Sequence, residues 1–270
     1  MLAPIWTYWF WVIVFCNANK LLKVSIITAC FNNATTIATT LESVAQQSYS
    51  PIEHIVIDGL STDGTLATIE QSNFKGTVIS EKDQGMYEAL NKGLALASGD
   101  IIGFLHADDY FNHATVIEEM AAHFEAHPNA AAIYGDIVFV NEQGKTTRYY
   151  SSKDWNLNKM AKGIMPAHPS FFARKEVYAR YPFNTDYTIA ADFDQVLRVA
   201  LDDEFKMQYL PIITTCMRRG GKSTQNWGSN ITITQEVKAI CKAHGIKTNY
   251  WKIYSKYPGR LLELIRTHGK

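Results

Sequence analysis

Between Lys23 and Ala107 the chain alternates four short apolar runs with helix-like stretches, and this alternation constrains the fold more than any single residue. "KVSIITAC", "EHIVIDG", "GTVIS" and "DIIGFLHA" are short, apolar and mostly rich in β-branched residues, and read as buried strands. Between them, "TTIATTLESVAQQSY" sets Ile37, Leu41, Val44 and Ala45 at helical spacing. "STDGTLATIEQ" opens a second helix, and "GMYEALNKGLALASG" reads as a third, with Gly99 as its stop. Buried strands joined by helices pack as right-handed βαβ units on a parallel sheet. With 270 residues, 47% of them hydrophobic and 19% charged, the chain can bury one large core, with or without an appendage.

Downstream, "NHATVIEEMAAHFEAHP" reads as a helix and "AAIYGDIVFVNEQGK" as a strand entering a turn. Residues 146–166 are aromatic and polar without a clear period. "DFDQVLRVALDDEF" is helical again, "MQYLPIITTCMRRGGKS" ends in a glycine turn, and helices are expected from about Thr232 to the end. The expected organisation is an apolar extension over 1–22, a catalytic domain over 23–225 and a helical appendage over 226–270. The extension opens "MLAPIWTYWFWVIVFC", without a charge and shorter than the roughly 20 apolar residues that span a bilayer. Its Trp6, Tyr8, Trp9 and Trp11 favour a membrane interface, although a buried or self-associating segment, or an upstream start foreign to the native protein, would read alike.

Charge and cysteine usage exclude some partners. Lys plus Arg and Asp plus Glu each number 26, so no global field draws the chain to nucleic acid. Cys16, Cys30, Cys216 and Cys241 form no C-x-x-C pair and read as reduced thiols of a cytoplasmic protein.

The chemistry concentrates at the strand ends, where open parallel sheets bind ligands. Strand one leads to Phe31 and Asn32, strand two to Asp58, strand three to Glu81 and Asp83, and strand four to Asp108 and Asp109. Any one of these could be a turn or cap residue, but four strands in succession deliver polar groups to one edge. Such an edge repels a phosphate ligand unless Mg²⁺ or Mn²⁺ joins carboxylate and phosphate oxygens. Neither a G-x-x-x-x-G-K-[ST] loop nor a G-x-G-x-x-G follows a strand, so P-loop and dinucleotide sites are poorly supported.

"VSIITACFNN", "IVIDGLSTDGT", "SEKDQGMYEALNKGLALASGDIIGFLHADD" and "TIAADFDQVLRV", in this order, resemble the successive signatures of family-2 glycosyltransferases. The resemblance runs from about Lys23 to about Ser223. It implies an α/β GT-A fold, a mostly parallel central sheet flanked by helices, and inverting transfer from a nucleotide sugar, with UDP the expected nucleotide. By that resemblance Thr28, Phe31 and Asn32 line the nucleoside pocket, Asp58 accepts from the base and Asp83 closes the site. Asp108 faces ribose or sugar, and Asp109 holds the Mn²⁺ or Mg²⁺ that bridges the diphosphate. The family's D-x-D is a D-D here, which leaves open which carboxylate meets the metal. Asp192 is the expected base, with Asp194 as fallback, although Asp192 and Gln195 also have capping-box spacing.

His168 in "MPAHPSFFARKE" falls on the expected acceptor side, and Arg218, Arg219 and Lys222 of "RRGGKS" could fold over the diphosphate. The expected acceptor is a glycan on a lipid carrier, as in bacterial surface-polysaccharide or O-antigen assembly. The enzyme would then sit peripherally on the inner face of the cytoplasmic membrane, helped by the apolar start and the tail "KTNYWKIYSKYPGR". Two alternatives are a nucleotidyltransferase, which usually carries a glycine-rich basic loop absent from "ACFNNATT", and a non-catalytic sugar-nucleotide-binding module.

Overall fold

A computed structural model describes residues 21–218 and 227–256. The apolar segment up to Lys20, Arg219, Lys222 and the tail beyond Lys256 lie outside the described residues. The first strand, β1 (Val24–Cys30), pairs in parallel with β2 (Ile52–Asp58) and β4 (Ile101–Phe104), and β2 with β3 (Thr77–Ser80). Helices α1 (Ile37–Ala45), α2 (Thr65–Gln71) and α3 (Met86–Leu96) make the crossovers read from the sequence.

Beyond β4 the sheet becomes mixed. The strand β8 (Phe171–Arg174) runs antiparallel to β4 and to β6 (Ala130–Val140), while the long β9 (Lys206–Arg218) runs parallel to β6. Full order is β3-β2-β1-β4-β8-β6-β9-β5, where β5 is Tyr110–Phe111, and β7 (Thr146–Tyr150) hangs antiparallel on β6. The glycine turn expected after "MQYLPIITTCMR" lies outside the described residues, and the stretch before it belongs to this strand of 13 residues. Exposed Pro211 lies within it where the register on β6 shifts between Tyr134 and Asp136, which is where a strand tolerates a residue without an N–H.

Successive residues of a strand face opposite sides, and both sides are apolar here. Ile27, Phe104 and Phe171 join α3 and α6 (Ala191–Leu201) in one cluster, while Ile26 and Phe172 join α4 (Val116–Ala126) in the other. Each such side chain contributes about 1.5–3 kcal/mol on full burial. Helix α3 sits so close to β1 that a Cβ at Gly93 would fall 2.4 Å from Ile27 Cγ2. A short α5 (Lys175–Arg180) follows β8, and the last two helices described, α7 (Trp227–Ala243) and α8 (Tyr250–Tyr254), add Val237, Ile240, Cys241 and Ile253 to the first cluster.

Two local expectations are corrected. Gly99 does not stop α3, which ends at Leu96 with Ala97 already extended. Gly99 is there for a close approach: its N–H donates to Ser25 Oγ at 2.9 Å, and a Cβ would lie 2.7 Å from the Ser25 backbone nitrogen. Helix α7 starts at Trp227, five residues ahead of the expected Thr232.

Candidate active site

The loops after β1 and β2 are tied together by side-chain caps. Asn32, in the left-handed region at φ 57°, donates its N–H to Ser61 Oγ and accepts from the Thr62 N–H through Oδ1. Asp63 accepts from the Ala34 N–H at 3.0 Å, and Thr65 Oγ1 accepts from the Asn33 N–H. These bonds hold the Phe31 ring out toward solvent, 45% exposed. A Cβ added at Gly59 would stand 3.4 Å from both the Phe31 ring and Asp83 Oδ2. An aromatic face and a carboxylate oxygen therefore flank a slot floored by a glycine, a shape suited to a flat heterocycle.

The other two nucleoside-side candidates are used within the protein. Thr28 is fully buried, with Oγ1 on His54 Nε2 at 2.9 Å, so it offers no surface to a ligand in this state. Asp58 is fully buried as well, and its carboxylate accepts from the Ser61 N–H and hydroxyl, Ser80 Oγ and Cys30 Sγ. It organises the turn that presents Gly59. Asp83 Oδ1 pairs with Lys92 Nζ at 2.5 Å, and Glu81 shares that lysine at 2.9 Å, which pushes the ammonium above its ordinary range.

At the end of β4 the chain turns over Ala107–Asp108, closed by the Asp109 N–H on the His106 carbonyl at 3.0 Å. This turn separates the two acids. Asp109 is buried, with Oδ1 accepting from the Arg218 N–H at 3.2 Å and Oδ2 without any partner. Burial first, then the neighbouring Asp108, drives its carboxyl well above the usual range. Asp108 is half-buried and makes no side-chain hydrogen bond among the described residues. An orphaned buried carboxylate oxygen beside an open carboxylate fits a hard divalent cation that relieves their repulsion. No cluster of three or more His, Cys, Asp or Glu side chains with metal-holding geometry occurs among the described residues, so such a cation would draw most ligands from diphosphate and water. Arg218 is tied down at this corner, its guanidinium donating to Thr39 Oγ1 at 3.1 Å and lying over the Tyr110 ring.

Asp192 lies in the first turn of α6, opposite this corner. Its Oδ1 accepts from the Phe193 N–H at 2.8 Å and the Tyr87 hydroxyl at 3.2 Å. Burial raises its carboxyl above the ordinary value, against the pull of the Phe193 N–H, Tyr87 and His106. The capping box suggested by Asp192 and Gln195 does not form, since the buried Gln195 amide bonds to nothing. Glu236 of α7 caps this helix instead, accepting from the N–H groups of Thr188, Ile189 and Ala190 at 2.8–3.0 Å. Asp194 is occupied by Arg198 at 2.8 Å and His244 at 3.1 Å, and so is a structural carboxylate.

His106 links the two halves. Burial and His168 lower it to about 4, while Asp108 and Asp192 pull upward, so both carboxylates bear on one imidazole. The His168 ring stacks on His106 and on Phe104 with centroids 5.6 Å apart, and both its nitrogens are buried without a partner. Tyr87, His106 and Glu236 were not legible as site residues in the sequence. Only the polar group beside a site acid could have flagged His106, and nothing local marks the other two.

A parallel half with an acid-lined strand edge, continued by a mixed half, is the architecture of the GT-A fold. The profile described as glycosyl transferase family 2 matches residues 25–188, and the chain belongs to that family and is a glycosyltransferase. A PGL/p-HBAD biosynthesis glycosyltransferase of Mycobacterium tuberculosis is 28% identical over 202 residues, covering 73% of this chain and 77% of the relative. An uncharacterized glycosyltransferase of the same organism is 33% identical over 183 residues, covering 66% and 69%. Among solved structures, Staphylococcus aureus TarS 1–349 with UDP superposes with a TM-score of 0.60 at 18% identity; the match covers 81% of this chain but only 65% of that one. Glucosyl-3-phosphoglycerate synthase of M. tuberculosis, in complex with Mn²⁺, UDP and phosphoglyceric acid, gives 0.59 at 17% identity over 84% and 80%. Both confirm the fold.

Proposed function

We propose that this glycosyltransferase moves a sugar, with inversion, from a UDP-linked donor to a hydroxyl of a lipid-linked or glycan acceptor in bacterial surface-polysaccharide synthesis. The observation that carries this reading is the partnerless Oδ2 of buried Asp109 beside half-buried Asp108 at the end of β4, in a fold that also holds half-buried Asp192 by the Phe193 N–H and the Tyr87 hydroxyl. Phe31 stacks on the base, Asn32 holds the loop behind it, and Asp83 Oδ2 closes the slot over Gly59. Asp108, backed by Asp109, would hold Mn²⁺ or Mg²⁺, which when bound would supply positive charge to a leaving diphosphate.

Asp192 takes the proton of the acceptor hydroxyl as that oxygen forms its bond to the anomeric carbon. The bond from that carbon to the β-phosphate oxygen breaks in the same displacement, and its electron pair leaves with UDP. A carboxylate whose pKa is raised by burial is a stronger base than one in water, and Tyr87 aims it. A relative named for PGL/p-HBAD biosynthesis is in keeping with a biosynthetic role. No described helix is long and apolar enough to cross a membrane, so access to such an acceptor is peripheral in this reading.

The test is transfer of radiolabelled hexose from UDP-sugars, with Mn²⁺, into the butanol-soluble fraction of a bacterial lipid extract. Wild type should label it. Asp192→Asn should abolish labelling while binding UDP as before, and full labelling by that variant would refute the assignment of the base.

A further inference from the structure

The outer side of α8 and the end of α7 take no part in the site described above. From Trp227 to Lys256 the chain carries five lysines and one acidic residue, Glu236, against a balance of 26 and 26 in the whole sequence. Glu236 is turned inward onto the Thr188–Ala190 backbone, so its charge does not offset the lysines outside. Ile253 anchors α8 in the core at 0% exposure, which turns the opposite side outward. Trp251, on that side, is 86% exposed, and Tyr250 and Tyr254, which flank the Ile253 face, are 45% and 46% exposed. Lys238 Nζ lies 4.1 Å from the Tyr250 ring centroid, and Lys252 Nζ is held on the Lys247 carbonyl at 3.1 Å. None of Lys238, Lys242, Lys247 and Lys252 forms an ion pair among the described residues.

We infer that this surface docks the enzyme on a bilayer rich in anionic phospholipid. Trp and Tyr carry an apolar body and a polar tip and settle at the level of the headgroups, while neighbouring lysines meet the phosphates. Charge complementarity selects this occupant over a second copy, because a two-fold contact would bring the lysines of one chain against those of the other. The inference deepens the lipid-linked acceptor reading and rests on it for its purpose. Helix α7 joins the two, since the same helix that carries Lys238 and Lys242 caps the turn before Asp192. A docked chain thus holds the base helix at a fixed place relative to the lipid surface.

The test is cosedimentation of the full chain with vesicles of phosphatidylglycerol and phosphatidylcholine, and with phosphatidylcholine alone, in the absence of nucleotide. Wild type should bind the anionic vesicles and release at high salt. Trp251→Ser with Tyr254→Ser, and separately Lys247→Glu with Lys252→Glu, should each weaken partitioning about ten-fold with unchanged circular dichroism and unchanged UDP binding. Quenching by brominated lipid isolates this surface from the apolar N-terminal segment, because the quenchable emission should fall in Trp251→Phe. Binding by both double variants equal to wild type, with quenching unchanged in Trp251→Phe, would overturn the inference, as would binding to neither vesicle. UDP binding is measured on the same samples, so loss of docking and failure of the transferase reading are told apart.

Discussion

Glu236→Ala isolates the cap that positions Asp192, the proposed base. Helix α6 begins after Ala190 without a side-chain cap of its own, and one carboxylate from α7 receives three backbone N–H groups there. Thr188 is exposed and water can replace its bond, whereas Ala190 is buried and Ile189 half-buried. Leaving those two donors without an acceptor, and losing a charged cap, costs about 3 kcal/mol. For a chain of this size that lowers Tm by roughly 6–12 °C. Glu236→Gln keeps one acceptor oxygen and should lose about half as much. Both shifts are read by calorimetry and urea titration, with UDP affinity measured alongside. Because Asp192 follows the capped segment by two residues, kcat should fall at least ten-fold in the alanine variant while UDP affinity holds. An unchanged Tm, or a loss of UDP affinity equal to the loss of turnover, would refute the reasoning.

Three further outcomes follow from buried groups. His168→Phe replaces two unpartnered nitrogens by carbon within an aromatic cluster and should raise stability by about 1 kcal/mol while transfer falls; a destabilised but fully active variant would mean that the ring serves packing alone. Burial holds His54 near about 3 and His168 near about 4 in the fold, against about 6.5 in the unfolded chain. The unfolded state therefore binds more protons below about pH 6.5, and stability should fall as pH falls, by up to about 2 kcal/mol per histidine between pH 6.5 and 5. The raised carboxyls of Asp109 and Asp192 work in the opposite sense, so urea titrations across this range should slope less steeply in acid for His168→Phe than for wild type. Asp194→Asn removes the charge and one of the two acceptor oxygens that serve Arg198 and His244, and should lower Tm without the loss of turnover expected of Asp192→Asn, as parallel melts and transfer assays would establish.

The parallel half of the fold was readable because each βα unit is local: strand, turn chemistry and helix lie within about thirty residues of one another. Phe31, Asn32 and Asp83 fall at strand ends for the same reason. The mixed half was readable only in part: β6, α4 and α6 follow from their patterns, but β8 and β9 join β6 across long sequence separations and β7 has only a half-exposed face to advertise it. Thr28 and Asp58 look like ligand contacts in sequence, but burial gives them His54, Ser61 and Ser80 as partners. Adjacent aspartates are indistinguishable as letters; only the turn over Ala107–Asp108 separates an open Asp108 from an enclosed Asp109. Tyr87 reaches Asp192 across 105 residues and Glu236 reaches Ala190 across 46, and no local pattern encodes either contact.

The central claim is that the paired aspartates end β4 as a cation-dependent diphosphate site. Calorimetric titration of UDP into the full chain, once with Mn²⁺ and once with EDTA, tests it most directly. The account predicts saturable binding with Mn²⁺ that weakens at least ten-fold in EDTA and in Asp108→Asn. Equal affinity with and without the cation, or in wild type and Asp108→Asn, would contradict it.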